Sequence, residues 1–466
     1  MKKIFILFVT MVLICILLSS CGDGGGTEEK GSGTGNIFNA SEGMDSSNAS
    51  SGQGNLRLLS SPDGEAACIT ENGYYYLTSE VVELRDGSYG LHLMYMDFAT
   101  GREIYLCSTA GCKHDSPDCP AVFLYDDFPI YTTKIFVLQD YLYILSREYD
   151  DDGSMNTTIS FNSNGEDAEI ESKAAALYRA RLDGTERKKV YSFDSELTLE
   201  DKVFGDDNGI YVITKKLSQE KNQNQTYTTS SGKKLMYLDL ETMSMKEVCS
   251  LEFDDNISWS VIDCGGNTFV LSGTDFGREL SQDEMWDEDV YKDLWLNASM
   301  VYAVLDTSDG TLREICRQSN QFDHSGQVLG DCLYVSSSEN ENIESYNLAT
   351  GEKKTLCSLP QNCIMGTFDN TLYCQEWDLT KPTIYFVNTE TGAITSTPIV
   401  NKCNGWAVEF RGETVSDVLF IYDYDATAHN DGSYEIYRCK YALISKDDLF
   451  GGRENYREIE MIGSGY

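Results

Sequence analysis

The sequence predicts an all-β fold: a single β-propeller of about seven four-stranded blades, six or eight being the nearest alternatives, with one short helical insertion near 281–297. Three observations predict it. A polar turn followed by an aliphatic or aromatic triplet recurs along the chain, a tyrosine-centred segment follows each copy, and turns rich in Asp, Asn, Thr and Gly come after these. Alternating β-branched and aromatic residues between such turns are hairpin signals. Units of this kind cannot bury their apolar faces alone, and radial repetition both stacks them and protects their edges.

The first motif appears as Asn72-Gly73-Tyr74-Tyr75-Tyr76, Asp140-Tyr141-Leu142-Tyr143-Ile144 and Asn208-Gly209-Ile210-Tyr211-Val212. It continues as Asn267-Thr268-Phe269-Val270, Asp331-Cys332-Leu333-Tyr334-Val335, Asn370-Thr371-Leu372-Tyr373 and Asp417-Val418-Leu419-Phe420-Ile421. The tyrosines of the second motif are Tyr95, Tyr178, Tyr237, Tyr302, Tyr346, Tyr385 and Tyr437, spaced 39 to 83 residues apart. Seven copies with variable insertions fit one sheet per copy. The tyrosines read as blade-packing residues rather than ligands. The clearest turns after them are Ala99-Thr100-Gly101, Asp183-Gly184-Thr185, Ser308-Asp309-Gly310, Ala349-Thr350-Gly351 and Glu390-Thr391-Gly392.

Ahead of the repeats, Lys2 and Lys3 precede an apolar run over 4–18. Fifteen residues are too few for a comfortable membrane span and suit the core of a signal peptide. The run ends in Leu18-Ser19-Ser20-Cys21, which resembles the lipobox of bacterial lipoproteins. That resemblance implies a signal peptide over 1–21 cleaved before Cys21, with diacylglycerol on its sulfur and a palmitate-like acyl anchor. The mature chain would then sit on the extracytoplasmic face of a cell membrane, where buried acyl chains replace any further transmembrane helix. Residues 22–55 turn to Gly, Ser, Asn and Thr without apolar periodicity, as a flexible tether does. Such a chain reaches roughly 30 Å root-mean-square. The propeller is expected over 56–466.

Charge narrows the partners. With 36 Lys+Arg against 75 Asp+Glu the net charge is −39. That excludes a general nucleic-acid binder, which needs a basic surface for phosphates. It favours cationic partners, metal ions and basic peptides among them, and repels anionic polymers.

Two insertions interrupt the repeats. The segment 148–173 contains Asp150-Asp151-Asp152-Gly153, whose acid spacing is similar to a calcium loop but lacks the bidentate Glu at the twelfth position. It reads as a solvated loop. In 281–297, Ser281 and Glu284 form a capping box, with Trp286, Val290 and Leu294 at helical spacing behind it. A short amphipathic helix packing its stripe on the propeller is expected.

The most unusual constellation is Cys107, Cys112, His114 and Cys119, set among Gly111, Pro117 and Pro120 just after the first repeat. Three soft thiols and one imidazole can make a tetrahedral metal site of structural type, with zinc the occupant suited to mixed sulfur and nitrogen ligands. Cys112 and His114 are two residues apart, so both can ligate only if the backbone between them is not a regular strand. A Cys112–Cys119 disulfide and plain packing are the competing readings. Beyond Cys21 the chain holds thirteen cysteines, an odd number that cannot all pair. Cys249, Cys316, Cys332, Cys357 and Cys374 lie in strand-like positions, where they act as small hydrophobes.

No His-Glu-x-x-His pair, Gly-x-Ser-x-Gly elbow, phosphate-binding loop or dinucleotide fingerprint occurs. No catalytic residue is nominated. Taken together, the Leu18-to-Cys21 segment, the tether, the repeats and the Leu106-Cys107…Cys119-Pro120 segment resemble a group of surface lipoproteins of anaerobic Gram-positive bacteria. These carry a TolB-like propeller domain of unknown function. The expected role is a lipid-anchored module that binds or scaffolds a protein, peptide or small-molecule ligand. The alternative is an extracellular carbohydrate-active propeller enzyme, a glycoside hydrolase or lyase.

Overall fold

In a computed structural model, the described residues are 56–462 apart from 63, 148–173, 223–224, 254–255, 282–283, 286, 361, 377–381 and 430–433. The expected signal and tether segments with Cys21, the acidic insertion 148–173 and Trp286 therefore lie outside them. The rest is a seven-bladed propeller of antiparallel sheets with two short helices, α1 (Glu288–Asn297) and α2 (Lys446–Phe450).

All seven copies of the first motif are second strands, running from Gly73–Leu77 in blade 1 to Asp417–Ala428 in blade 7. The tyrosine-centred segments are the third strands, from Tyr89–Asp97 to Tyr434–Ser445. The turn chemistry explains why third and fourth strands pair. In blade 1, Asp97 accepts from the Ala99 amide at 2.9 Å and the Thr100 hydroxyl at 2.9 Å, while Gly101 takes a left-handed φ of 68°. Asn347-Ala349-Thr350-Gly351 and Asn388-Glu390-Thr391-Gly392 repeat the arrangement. A side-chain acceptor two residues before the turn supplies what a backbone carbonyl otherwise would.

Each of the seven seams between neighbouring blades has its own apolar core. Leu77, Leu93 and Tyr95 meet Ile135, Leu142 and Ile144 between blades 1 and 2. Met94 and Met96 meet Leu419, Tyr441 and Leu443 where blade 7 closes on blade 1. Five further clusters fill the remaining seams. An eighth, around Leu84, Cys119, Ala121 and Val122, belongs to no seam and lies beneath the Cys/His loop of blade 1.

Among the described residues, ring closure takes no strand from the other end of the chain. Arg57–Leu58 instead adds to blade 3, pairing with Phe204–Gly205. The C-terminal segment clips onto blade 1: Glu103 N donates to Glu460 O at 2.9 Å, Glu460 N to Gly101 O at 2.8 Å, and Ile462 N to Glu103 Oε2 at 2.7 Å. Glu103 is buried and also accepts from the Tyr76 hydroxyl.

Helix forms in the 281–297 insertion as expected, in two pieces. The Ser281–Glu284 box opens the first, where 284–285 are helical and Met285 N donates to Ser281 O at 3.1 Å, and Asp287 caps α1 separately by accepting from Val290 N. Two expectations need correction. No residue of α1 is fully buried; Val290 and Tyr291 are exposed, and Leu294, Trp295 and Leu296 are half-buried. Finally, Tyr437 is 50% exposed, whereas Tyr441 is 5% exposed and pairs with Ile421 at the centre of blade 7. Blade 7 has unusually long second and third strands, so the packing tyrosine sits four residues further on.

The two faces of the ring differ. One carries the turns from first to second and from third to fourth strands, mostly two to six residues long. The other carries every second-to-third connection and every passage between blades. These include 78–88, the 14- and 15-residue hairpin strands of blade 3, and the segment with α1. Among the described residues the exposed aromatics Tyr89, Tyr131, Tyr291, Trp406 and Tyr437 all belong to this insertion face. The chain enters the propeller at the opposite, turn face: Arg57 bonds Asp207 at 3.3 Å and Leu56 N reaches Asn267 Oδ1 at 3.5 Å, both in first-to-second turns.

Candidate metal centre

The third strand of blade 1 has two outer partners in succession. Arg102–Tyr105 pairs with its second half and Val122–Leu124 with its first. Leu93 closes the excursion between them, accepting from Leu106 N at 3.0 Å and donating to Ala121 O at 2.8 Å. Cys107 and Cys119 therefore stand at the two ends of one pinned loop. Short turns fold its middle back, with Cys112 N on Thr109 O at 3.2 Å and Cys119 N on Ser116 O at 3.0 Å.

The ligand atoms of Cys107, Cys112, His114 and Cys119 all lie within 4.8 Å of one another. An ion held at about 2.3 Å from sulfur in tetrahedral geometry spaces its ligands roughly 3.7 Å apart. The cluster is thus within about an ångström of closing on a metal ion, and these four residues could hold one. Cys119 is buried; the other three are half-buried. All thirteen cysteines of the described residues are free thiols.

Backbone conformation resolves the two-residue spacing. Gly111 has φ 71° and His114 φ 56°, so the chain between Cys112 and His114 is not extended. A non-glycine residue in the left-handed region carries strain that its surroundings must hold. Here His92 Nε2 lies 2.8 Å from His114 O, and the His114 ring stacks on Tyr105 with centroids 4.3 Å apart. Nδ1 of His114 is then aimed at Cys119 Sγ, 3.3 Å away.

The electrostatics suit thiolate ligands unequally. Burial pushes the Cys119 thiol up to about 12. Burial acts the same way on Cys107, but hydrogen bonds from the Thr109 amide and hydroxyl and from the neighbouring thiols outweigh it and hold that thiol below its usual range. Burial, reinforced by the charge of His92, lowers the His114 pKa and so favours the neutral imidazole that a metal requires. Arg187 brings a positive charge against the end of the loop: its guanidinium donates to Pro120 O at 3.2 Å and Val122 O at 2.9 Å and feels the Cys119 thiol.

No protein-family model and no curated protein matches the chain. Several solved structures do. A puromycin hydrolase is 10% identical with a TM-score of 0.45, over 87% of this chain and 53% of that one. An acylaminoacyl peptidase of Pyrococcus horikoshii is 14% identical with a TM-score of 0.39, over 70% and 45%. TolB from Acinetobacter baumannii is 12% identical with a TM-score of 0.29, over 80% and 77%. The chain spans about half the length of the peptidases it matches. At these scores the likenesses carry no argument about activity.

Sequence reasoning found the four clustered residues and missed their support. His92 and Tyr105 come from strands of blade 1, and Arg187 from the third-to-fourth turn of blade 2. No local pattern announces them, because only the sheet register brings them to the loop.

Proposed function

We propose that this chain is a lipid-anchored cell-surface propeller that acts as a binding or scaffold module, engaging its ligand through the insertion face. The observation that carries the reading is the difference between the two faces. The chain enters at the turn face, while the longest connections, apart from 446–455, and the exposed aromatics of the described residues belong to the other. Exposed Tyr and Trp supply large contact area at low entropic cost, the composition expected of binding surfaces. The connections of that face are acidic: 276–298 hold seven carboxylates against two bases. They favour a cationic ligand, protein or peptide. The Cys/His cluster belongs to this reading as a structural site, zinc being the ion that three thiolates and one imidazole select.

Two measurements test it together. Cys21→Ala should abolish metabolic labelling by a fatty-acid analogue, and persistent labelling would refute the anchor. A photo-crosslinking residue at Tyr437 or Tyr131 should trap a partner on intact cells, while one at Val415, on the turn face, should not. Equal trapping from both faces would refute the assignment of the binding surface.

A further inference from the structure

The Cys/His loop touches more than its own ligands. Its residue 115 fastens the second-to-third connection of blade 1: Arg85 N donates to Asp115 O at 2.8 Å, and the Arg85 guanidinium grips both Asp115 carboxylate oxygens at 2.8 and 3.0 Å. One residue earlier, His114 O meets His92 Nε2 at the start of the third strand. His92 N in turn donates to Thr78 Oγ1 at 3.0 Å, at the beginning of the same connection. The middle of the connection is held by packing, since Leu84 lies in one buried cluster with Cys119, Ala121 and Val122, against Cys107 and Cys112. Its far end is tied as well, with Tyr125 N donating to Tyr89 O at 3.0 Å.

Residues 78–89 therefore rest on the four-ligand loop through Val82, Leu84 and Arg85, while Val82–Glu83 also pairs with Tyr89–Gly90 of the third strand. They also carry Val81 and Tyr89, both exposed on the insertion face. The base of the loop is secured by Leu93, yet its middle is held by short turns, the His92 and Arg85 contacts and the close approach of four ligand groups. Three thiols and an imidazole packed together offer each other weak hydrogen bonds. A thiophilic divalent ion instead joins all four and closes the loop.

We propose that the ion bound by Cys107, Cys112, His114 and Cys119 orders residues 78–89, so that the blade 1 part of the insertion face takes its shape only when the site is metal-loaded. This rests on the zinc reading of the cluster. Four protein ligands leave no open coordination position, so the site shapes a surface and performs no chemistry of its own. Three thiolates and a divalent ion leave one negative charge, which Arg187 lies close enough to offset. Cadmium, an ion of the same preference for sulfur, should substitute.

The test is hydrogen exchange on the purified full-length protein, zinc-loaded and after stripping by a chelator under reducing conditions. Amides of 78–92 and 106–124 should exchange at least tenfold faster once stripped, and one equivalent of zinc or cadmium should restore protection. The blades opposite should not change. A second variant pair, Arg85→Ala and Asp115→Asn, leaves every ligand in place. It should keep one equivalent of zinc and the protection of 106–121 while freeing 78–89. Protein that binds neither ion, with the Cys107, Cys112 and Cys119 thiols all reactive, would overturn the zinc reading itself. Protein that binds one equivalent of zinc but shows unchanged exchange in 78–92 on stripping would overturn the coupling alone.

Discussion

Asp263 offers a quantitative test of the packing at the inner wall of the ring. It lies on the first strand of blade 4, Ser260–Gly265, beside an irregularity in the pairing between Val261 and Asp263. Burial raises its carboxyl to about 6, against the opposing pull of the Cys264 amide at 2.8 Å and the charge of Lys202. A carboxyl whose folded pKa is raised holds its proton longer in the folded state than in the unfolded chain. Its contribution is neutral below the ordinary Asp range and becomes destabilising as pH climbs through about 4 to 6. A shift of about two units corresponds to roughly 3 kcal/mol. Asp263→Asn keeps an oxygen for the Cys264 amide and removes the charge. The variant should therefore match the wild type near pH 4 and exceed it by up to roughly 3 kcal/mol at pH 7. With an unfolding entropy of about 2 cal/mol/K per residue over some 400 residues, that is a rise in Tm of roughly 3–4 °C. Differential scanning calorimetry of both proteins from pH 4.5 to 7.5 measures it. A difference that is flat with pH, or that shrinks as pH rises, would refute the buried-carboxyl argument.

Other perturbations probe the register and closure of the ring. Tyr441→Ala should cost about 3–5 kcal/mol because it empties the seam between blades 7 and 1, whereas Tyr437→Ala should stay within about 0.5 kcal/mol; the reverse order in thermal melts would mean that blade 7 is out of register. Truncation after Glu458 removes the bonds of residues 459–462 to Tyr441, Gly101 and Glu103, together with buried Ile459. At about 1 kcal/mol per hydrogen bond and 2 for the side chain, the loss should be roughly 5–6 kcal/mol, and an unchanged Tm would show that the C-terminal clip does not hold the ring.

Much of the fold was legible because each blade repeats two local signals. The triplets after Asn-Gly or Asp turns mark second strands, and the tyrosine segments with their Asx-type turns mark third strands, so neither depends on distant partners. What was not legible is set by register over long distances. Arg57–Leu58 is two residues long and pairs with Gly205 and Phe204, about 150 positions away; nothing in Arg-Leu announces a strand. Val122–Leu124 likewise becomes an edge partner only because the Cys/His loop returns the chain to Gly90–His92. Tyr437 misled because blade 7 extends its hairpin beyond the ring, shifting the packing tyrosine to 441. In 281–297, the capping box at Ser281 opens one helical turn and Asp287 caps α1 after it, a second start that the sequence alone did not mark. The ligand cluster was legible from the density of soft ligands, while the left-handed turn at His114 that lets neighbouring ligands converge was not.

X-ray absorption at the zinc edge of the full-length, metal-loaded protein tests the central claim most directly. The account predicts a four-coordinate shell of three sulfurs at about 2.3 Å and one nitrogen at about 2.0–2.1 Å, lost together with the zinc in Cys112→Ser. A shell of oxygen and nitrogen ligands without sulfur, or zinc retained unchanged in Cys112→Ser, would contradict it.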